Sequence, residues 1–407
     1  MRYKIGLLVF VFLSIFISGC VEEFVPLNDE GSTLEGIDKI IDANNRFAFD
    51  MYSELSSNEN LFFSPYSISS ALGMVYEGAR GETASEIREV FYFPEDDVER
   101  RSSFAAVYNQ INKADKKYKL STANALWAQQ DYVFLDEYFE VVEQNYGGKV
   151  TNLDFKSNTE ESRVIINDWV EGKTNGKIKD LISYLDPLTR LVLTNAVYFK
   201  GDWVYEFDKG DTMESSFMLS SGQDVIVDMM FLDNDDATFN YLDREELQIL
   251  EMPYKGEEIS MLILLPKGDI AELESEFSYD KLNEWKENMF KQEVIIYVPK
   301  FTFETKYTGM GDTLIEMGMP SAFDYNVADF SGMTGKRDLY ISQVIHQAFV
   351  DVNEEGTEAA AATAVVMEAM SAGPSNVFKA DHPFIFIIQE GEAGNILFIG
   401  KVENPIA

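Results

Sequence analysis

Asn353-Glu354-Glu355-Gly356-Thr357-Glu358-Ala359-Ala360-Ala361-Ala362-Thr363-Ala364-Val365-Val366-Met367-Glu368-Ala369-Met370 is the stretch on which the fold turns, because it supports two readings. From Thr357 to Met370 it is rich in Ala, carries two Glu and contains neither Gly nor Pro, which by intrinsic propensity is a helix. The same residues also divide at a period of two. Thr357, Ala359, Ala361, Thr363, Val365 and Met367 are small or apolar, while Glu358 and Glu368 fall on the opposite face. That is a strand with one buried side. Propensity alone favours the helix, with an extended exposed segment as the alternative, so the choice passes to the rest of the chain.

Upstream, Ile40, Ile41, Ala43, Phe47, Ala48, Met51, Tyr52 and Leu55 recur at spacings of three and four, predicting an amphipathic helix from Ile37. A second helix is expected to start at Ser64-Pro65, with Ser64 as cap and Pro65 at the first helical position, and to run to about Gly78. Thr83 is a candidate cap for a third. Thr159 to Asn175 reads as a further helix, with Val164, Ile165, Ile166, Trp169 and Val170 inward. Strand candidates are Leu120–Trp127, Val192–Phe199, Val225–Met229, Gln248–Pro253, Ile259–Leu265, Val294–Phe303, Phe384–Gln389 and Ile396–Val402. Helices come early and strands dominate late, so the fold class is α+β with large, mainly antiparallel sheets.

The chain has 407 residues, 46% hydrophobic, 13% aromatic and 25% charged, the composition of a folded globular protein with a sizeable core. Its 70 acidic side chains outnumber 33 basic ones, for a net charge of -37. That balance argues against nucleic acid and heparin-like partners, which need clustered Lys and Arg to displace counterions. Two histidines and no HExxH or Cys-His spacing give no basis for a metal centre, a catalytic triad or any cofactor.

Arg2 and Lys4 followed by the apolar run Ile5 to Ile17 read as an export signal. Ile17-Ser18-Gly19-Cys20 resembles the lipobox of prokaryotic lipoproteins, in which the signal (1–20) is removed and Cys20 carries the lipid; an uncleaved anchor is the alternative. Both readings place the body outside the cytoplasmic membrane, touching it only through the anchor. Cys20 is the single cysteine, so packing alone must hold the fold. The acidic stretch 21–36, with Pro26 and Gly31, is expected to be a flexible spacer.

Five segments, taken in order, resemble the serpin family: Phe63-Ser64-Pro65-Tyr66-Ser67-Ile68, Leu193-Thr194-Asn195-Ala196-Val197-Tyr198-Phe199-Lys200-Gly201-Asp202-Trp203, Phe349 to Ala360, His382-Pro383-Phe384-Ile385-Phe386, and Phe398-Ile399-Gly400-Lys401-Val402. The resemblance implies one serpin domain over 37–407, with three mainly antiparallel sheets, eight to nine helices and an exposed reactive-centre loop. It implies a monomeric inhibitor of serine proteases and not an enzyme; a non-inhibitory carrier, chaperone or storage serpin is the alternative.

The resemblance further implies that the loop becomes a central strand after cleavage. Gly356 is then the pivot, and Thr357, Glu358, Ala359, Ala360, Ala361 and Ala362 form a hinge small enough to enter a sheet. Counting fourteen residues on from Gly356 places the scissile bond at Met370-Ser371, with Ala369 as a one-residue alternative. An unbranched apolar Met suits chymotrypsin-, elastase- or subtilisin-like pockets and leaves the buried carboxylate of a trypsin-like pocket without a cation. By the same resemblance Ser64, Ser67, Asn195 and His346 form the polar cluster where the large sheet parts. Trp203, Lys300 and Glu354 sit where the loop first enters.

Overall fold

The computed structural model describes residues 24–113, 116–357, 376–391 and 393–407. The helix Leu34–Leu55 forms where the three-four spacing predicts it, capped by Thr33, whose hydroxyl accepts the Gly36 N–H. Pro65–Gly78 is capped by Ser64 as expected, and it is buried along almost its whole length. Two expectations for helices need correction. Thr83 does not cap the helix Gly81–Phe91, which starts after Arg80; its hydroxyl instead accepts the Asp329 N–H from the far end of the chain. In Thr159–Lys173 the buried face is Ser162, Ile166, Asn167 and Val170, while Val164 and Ile165 point to solvent. Asn167 is buried because it bonds the Ile182 backbone on both sides of its amide, a partner that hydrophobic periodicity does not show.

Three sheets organise the described residues. A seven-stranded sheet contains the strands Leu61–Phe63, Asn395–Val402, Phe384–Glu390, Ile259–Pro266 and Leu247–Pro253, and its continuous apolar runs form the densest core. A four-stranded sheet holds Asn376–Lys379, Val294–Pro299, Asp224–Leu232 and Met213–Met218. The six-stranded sheet runs Phe301–Tyr307, Gln343–Asn353, Gly356–Thr357, Leu191–Asp202, Tyr118–Gln129 and Lys149–Leu153. Val294–Phe303, expected as one strand, is two strands in different sheets. Pro299 has no N–H to continue a ladder, and the Lys300 N–H turns away to the Asp228 carbonyl. The described residues hold ten α-helices, above the eight to nine expected, because Ile270–Glu276, Met310–Glu316 and Ser331–Thr334 are one- or two-turn pieces.

One feature of the six-stranded sheet matters for function. Gln343–Asn353 and Leu191–Asp202 pair in parallel from Gln343↔Val192 to Phe349↔Tyr198, then diverge, and the short strand Gly356–Thr357 lies between them, antiparallel to both. One face of this seam is covered by Thr159–Lys173 through Trp127, Ile166, Val170 and Ile345, and the other faces the main core.

The stretch expected as a spacer is not free over 24–33. Leu27 N–H donates to Asn109 Oδ1 at 2.7 Å and Asn109 Nδ2 donates back to the Leu27 carbonyl at 3.0 Å. Asn28 N–H bonds the Gln144 carbonyl at 2.8 Å, and the Phe24 ring lies against Tyr108. Acidic composition suggested a solvated linker, but these contacts are made by backbone and amide groups that charge patterning does not register.

Candidate functional site

Gly356 and Thr357 form the first rung of a would-be strand, and the local geometry explains both residue types. Gly356 has φ +155°, and a Cβ there would lie 2.1 Å from the Gly201 carbonyl oxygen, a backbone atom that cannot yield. Thr357 is 1% exposed, and its hydroxyl is 2.8 Å from the Tyr254 hydroxyl. Tyr254 is stacked on Trp203 with centroids 4.4 Å apart and planes 16° apart, and Trp203 Nε1 donates to the Asn353 carbonyl at 3.0 Å. The turn at 354–355 is therefore fastened from below by aromatic rings and from the side by backbone, since Trp203 N–H bonds the Glu355 carbonyl and Phe207 N–H the Glu354 carbonyl, each at 2.8 Å.

Glu354 sits 3.2 Å from Lys300 and accepts the Thr212 hydroxyl at 2.9 Å. Burial works against its charge, but its own backbone N–H, Thr212 and Lys300 outweigh that and hold the carboxyl below its ordinary range. Trp203, Lys300 and Glu354 thus meet at the top of the parted strands. Tyr254, Thr212 and Lys209, which pairs with Glu355 at 2.6 Å, belong to the same corner and were not singled out from sequence. Tyr254 lies in Pro253-Tyr254, just beyond an expected strand, and only the register reveals it.

Ser64, Ser67, Asn195 and His346 are brought together lower on the seam, where His346 and Asn195 are direct neighbours across the parallel pair. The Ser64 N–H donates to His346 Nε2 at 3.1 Å, so the ring proton resides on Nδ1 and is given to Asn195 Oδ1. Asn195 Nδ2 then donates to Ser67 Oγ and to Asn124 Oδ1, both at 2.5 Å, and the Ser64 hydroxyl to the Leu397 carbonyl at 2.6 Å. Asn124, in the middle of an apolar strand, is the member that sequence reading passed over. Every atom of this relay is buried, and burial alone drives the His346 pKa from 6.5 down to about 3.

A titration follows from that value. As pH falls below 6.5 the unfolded chain takes up a proton at this histidine, while the folded one does not until about 3. Stability is therefore complete above 6.5 and is lost through the window down to about 3, by at most ~1.4 kcal/mol per pH unit. Urea midpoints from pH 7 to 4 should fall with that slope, and His346→Gln should flatten it; equal slopes in the two proteins would contradict the assignment.

Glu358, Ala359, Ala360, Ala361, Ala362, Met370, Ser371 and Cys20 lie outside the described residues. Among the described residues no group of three or more His, Cys, Asp or Glu is placed to hold a metal ion, and no helix is long and apolar enough to cross a membrane.

The family model for Serpin (serine protease inhibitor) matches residues 42–405. The chain belongs to the serpin family. An uncharacterized serpin-like protein of the archaeon Methanosarcina acetivorans is 44% identical over 430 residues, covering 99% of each chain. Human leukocyte elastase inhibitor is 40% identical over 383 residues, covering 91% of this serpin and all of the relative. Among solved structures, human thyroxine-binding globulin complexed with thyroxine superposes with a TM-score of 0.83 at 32% identity, and uncleaved ovalbumin with 0.81 at 33%. They cover 91% and 90% of this serpin and the whole of each of those chains.

Proposed function

We propose that this serpin traps a serine protease of chymotrypsin-, elastase- or subtilisin-like specificity by a single-use mechanism. The protease serine attacks the Met370 carbonyl, the acyl-enzyme forms with release of the Ser371 amine, and the segment from Thr357 enters the six-stranded sheet before water can complete hydrolysis. The observation that carries this reading is the rung at Gly356–Thr357, hydrogen-bonded between the two parted strands and antiparallel to both.

Continuing that register residue by residue sets Ala359 opposite Phe199 and Val350, Ala361 opposite Val197 and Ala348, and Thr363 opposite Asn195 and His346. These odd-numbered residues share the core-facing side with Thr357 and are the small or apolar set. Insertion replaces one parallel ladder of seven pairs with two antiparallel ladders, which are the stronger kind per residue. About ten residues gain ~0.5–1.5 kcal/mol per ladder bond against ~1–2 kcal/mol each in ordering entropy. One of the two new ladders makes good the parallel ladder that is lost and the other nearly cancels against ordering entropy, so relief of strain in the parted sheet supplies the drive. Export with a lipid on Cys20 and a monomeric state complete the proposal.

Mixing the protein, from residue 21 onward, with subtilisin, chymotrypsin, elastase and trypsin should give an SDS-resistant complex with one of the first three and a released fragment starting at Ser371. Cleavage should also raise heat resistance. Turnover without a complex, and an unchanged melting point after cleavage, would favour a non-inhibitory serpin instead.

A further inference from the structure

At the pole of the six-stranded sheet remote from Gly356 lies a cavity of about 380 Å³ whose wall includes Lys156, Arg190 and Lys336. In a chain with 70 acidic and 33 basic side chains, three cations gathered on one cavity wall run against the overall charge. None of them makes an ion pair with a carboxylate among the described residues. Arg190 is fixed in place by its Nη1, which donates to the Leu188 and Thr189 carbonyls at 2.7 and 3.2 Å, and its guanidinium also interacts with the Tyr132 hydroxyl of the same wall. Two carboxylates also line the cavity. Asp338 accepts the Thr334 hydroxyl at 2.9 Å, and Asp131 is exposed on the rim.

The position of the cavity gives it meaning. Arg190 immediately precedes the strand Leu191–Asp202; its N–H bonds Ser342 Oγ, its carbonyl accepts the Gln129 N–H, and the Ser342 N–H bonds the Leu191 carbonyl. The two bonds made by Ser342 are the last links between the two parallel strands of the seam, just below Gln343↔Val192, while the Gln129 bond ties Arg190 to the neighbouring strand. Lys156 and Arg190 come from the side of the seam that holds Tyr118–Gln129 and Lys149–Leu153, whereas Lys336 comes from the segment leading into Gln343–Asn353. An ion that engages all three spans the seam where it must part last.

The geometry points to a binding site for a compact, multiply charged anion of the pyrophosphate class, which clamps the base of the seam and slows loop insertion. Binding stands on the native structure alone; only the kinetic consequence rests on the proposed inhibitory mechanism. Anion binding to the folded form raises its melting temperature with the logarithm of ligand concentration.

Thermal unfolding of the full exported chain, titrated with pyrophosphate against sodium chloride of equal ionic strength, should show a rise of a few degrees with pyrophosphate only. The variant Lys156→Ala/Lys336→Ala, altered at two exposed side chains, should fold normally and lose that rise. With a protease that forms a complex, pyrophosphate should increase the cleaved, untrapped fraction several-fold in the natural protein and not in the variant. A chloride effect as large as that of pyrophosphate, or an undiminished shift in the double variant, overturns the site. A pyrophosphate shift with normal trapping overturns the clamp. Failure to trap any protease with the shift intact removes the inhibitory reading and leaves the site standing.

Discussion

Under the proposed trapping mechanism, Thr357→Arg is expected to turn this serpin from an inhibitor into a substrate. Thr357 is buried against Tyr254, between Gly201 and Val352, and is the first residue that must stay inside the sheet as the loop follows. A guanidinium there would lose the bond to the Tyr254 hydroxyl and be taken out of water between the two strands, which costs several kcal/mol, so the rung is expelled. The two outcomes of the acyl-enzyme are in kinetic competition. Slowing insertion by even ~3 kcal/mol lowers its rate more than a hundredfold, and hydrolysis wins. Cleavage at Met370-Ser371 should continue at an unaltered rate while the SDS-resistant complex disappears. A complex of normal yield from Thr357→Arg, folded and cut as usual, would sink the insertion mechanism.

The second large effect concerns the polar relay beneath the seam. Asn195→Ala removes the acceptor of the His346 ring proton and the donor to Ser67 and Asn124, all of them buried. Each buried group left without a partner costs about 1–3 kcal/mol, so a loss of roughly 3–5 kcal/mol is expected. Because the same residues join the two strands that must separate, the loss should appear chiefly as faster unfolding on a denaturant jump. A double-mutant cycle with His346→Ala should show a coupling of ~1–3 kcal/mol. Additive effects would mean that the two residues stabilise the sheet independently.

Much of this architecture was legible in the chain because its strands are continuous apolar runs: Ile259–Pro266 and Asn395–Val402 could be little else once helices were excluded by length. The ambiguity in Thr357–Met370 was of another kind. Alanine satisfies both periods, and nothing local settles which prevails; of this stretch only Thr357 lies among the described residues, and Gly356, by its φ and its close approach to Gly201, commits that one residue to the sheet. What stayed hidden depends on distant partners. Asn124 looks like a defect in an apolar strand until Asn195 and Ser67 are placed beside it, and Lys300 looks like mid-strand until Pro299 ends one sheet and the next begins.

The fastening of residues 24–33 to the helices Asp97–Ile111 and Asp136–Tyr146 leaves little slack for a leash. From Cys20 to Phe24 an extended chain reaches only about 14 Å, so a lipid on Cys20 would hold this flank of the molecule close to the bilayer. Such an inhibitor would not sweep the surrounding medium on a long arm. It would patrol a thin layer at the cell surface in a fixed posture, meeting only those proteases that come within grazing distance of the lipid.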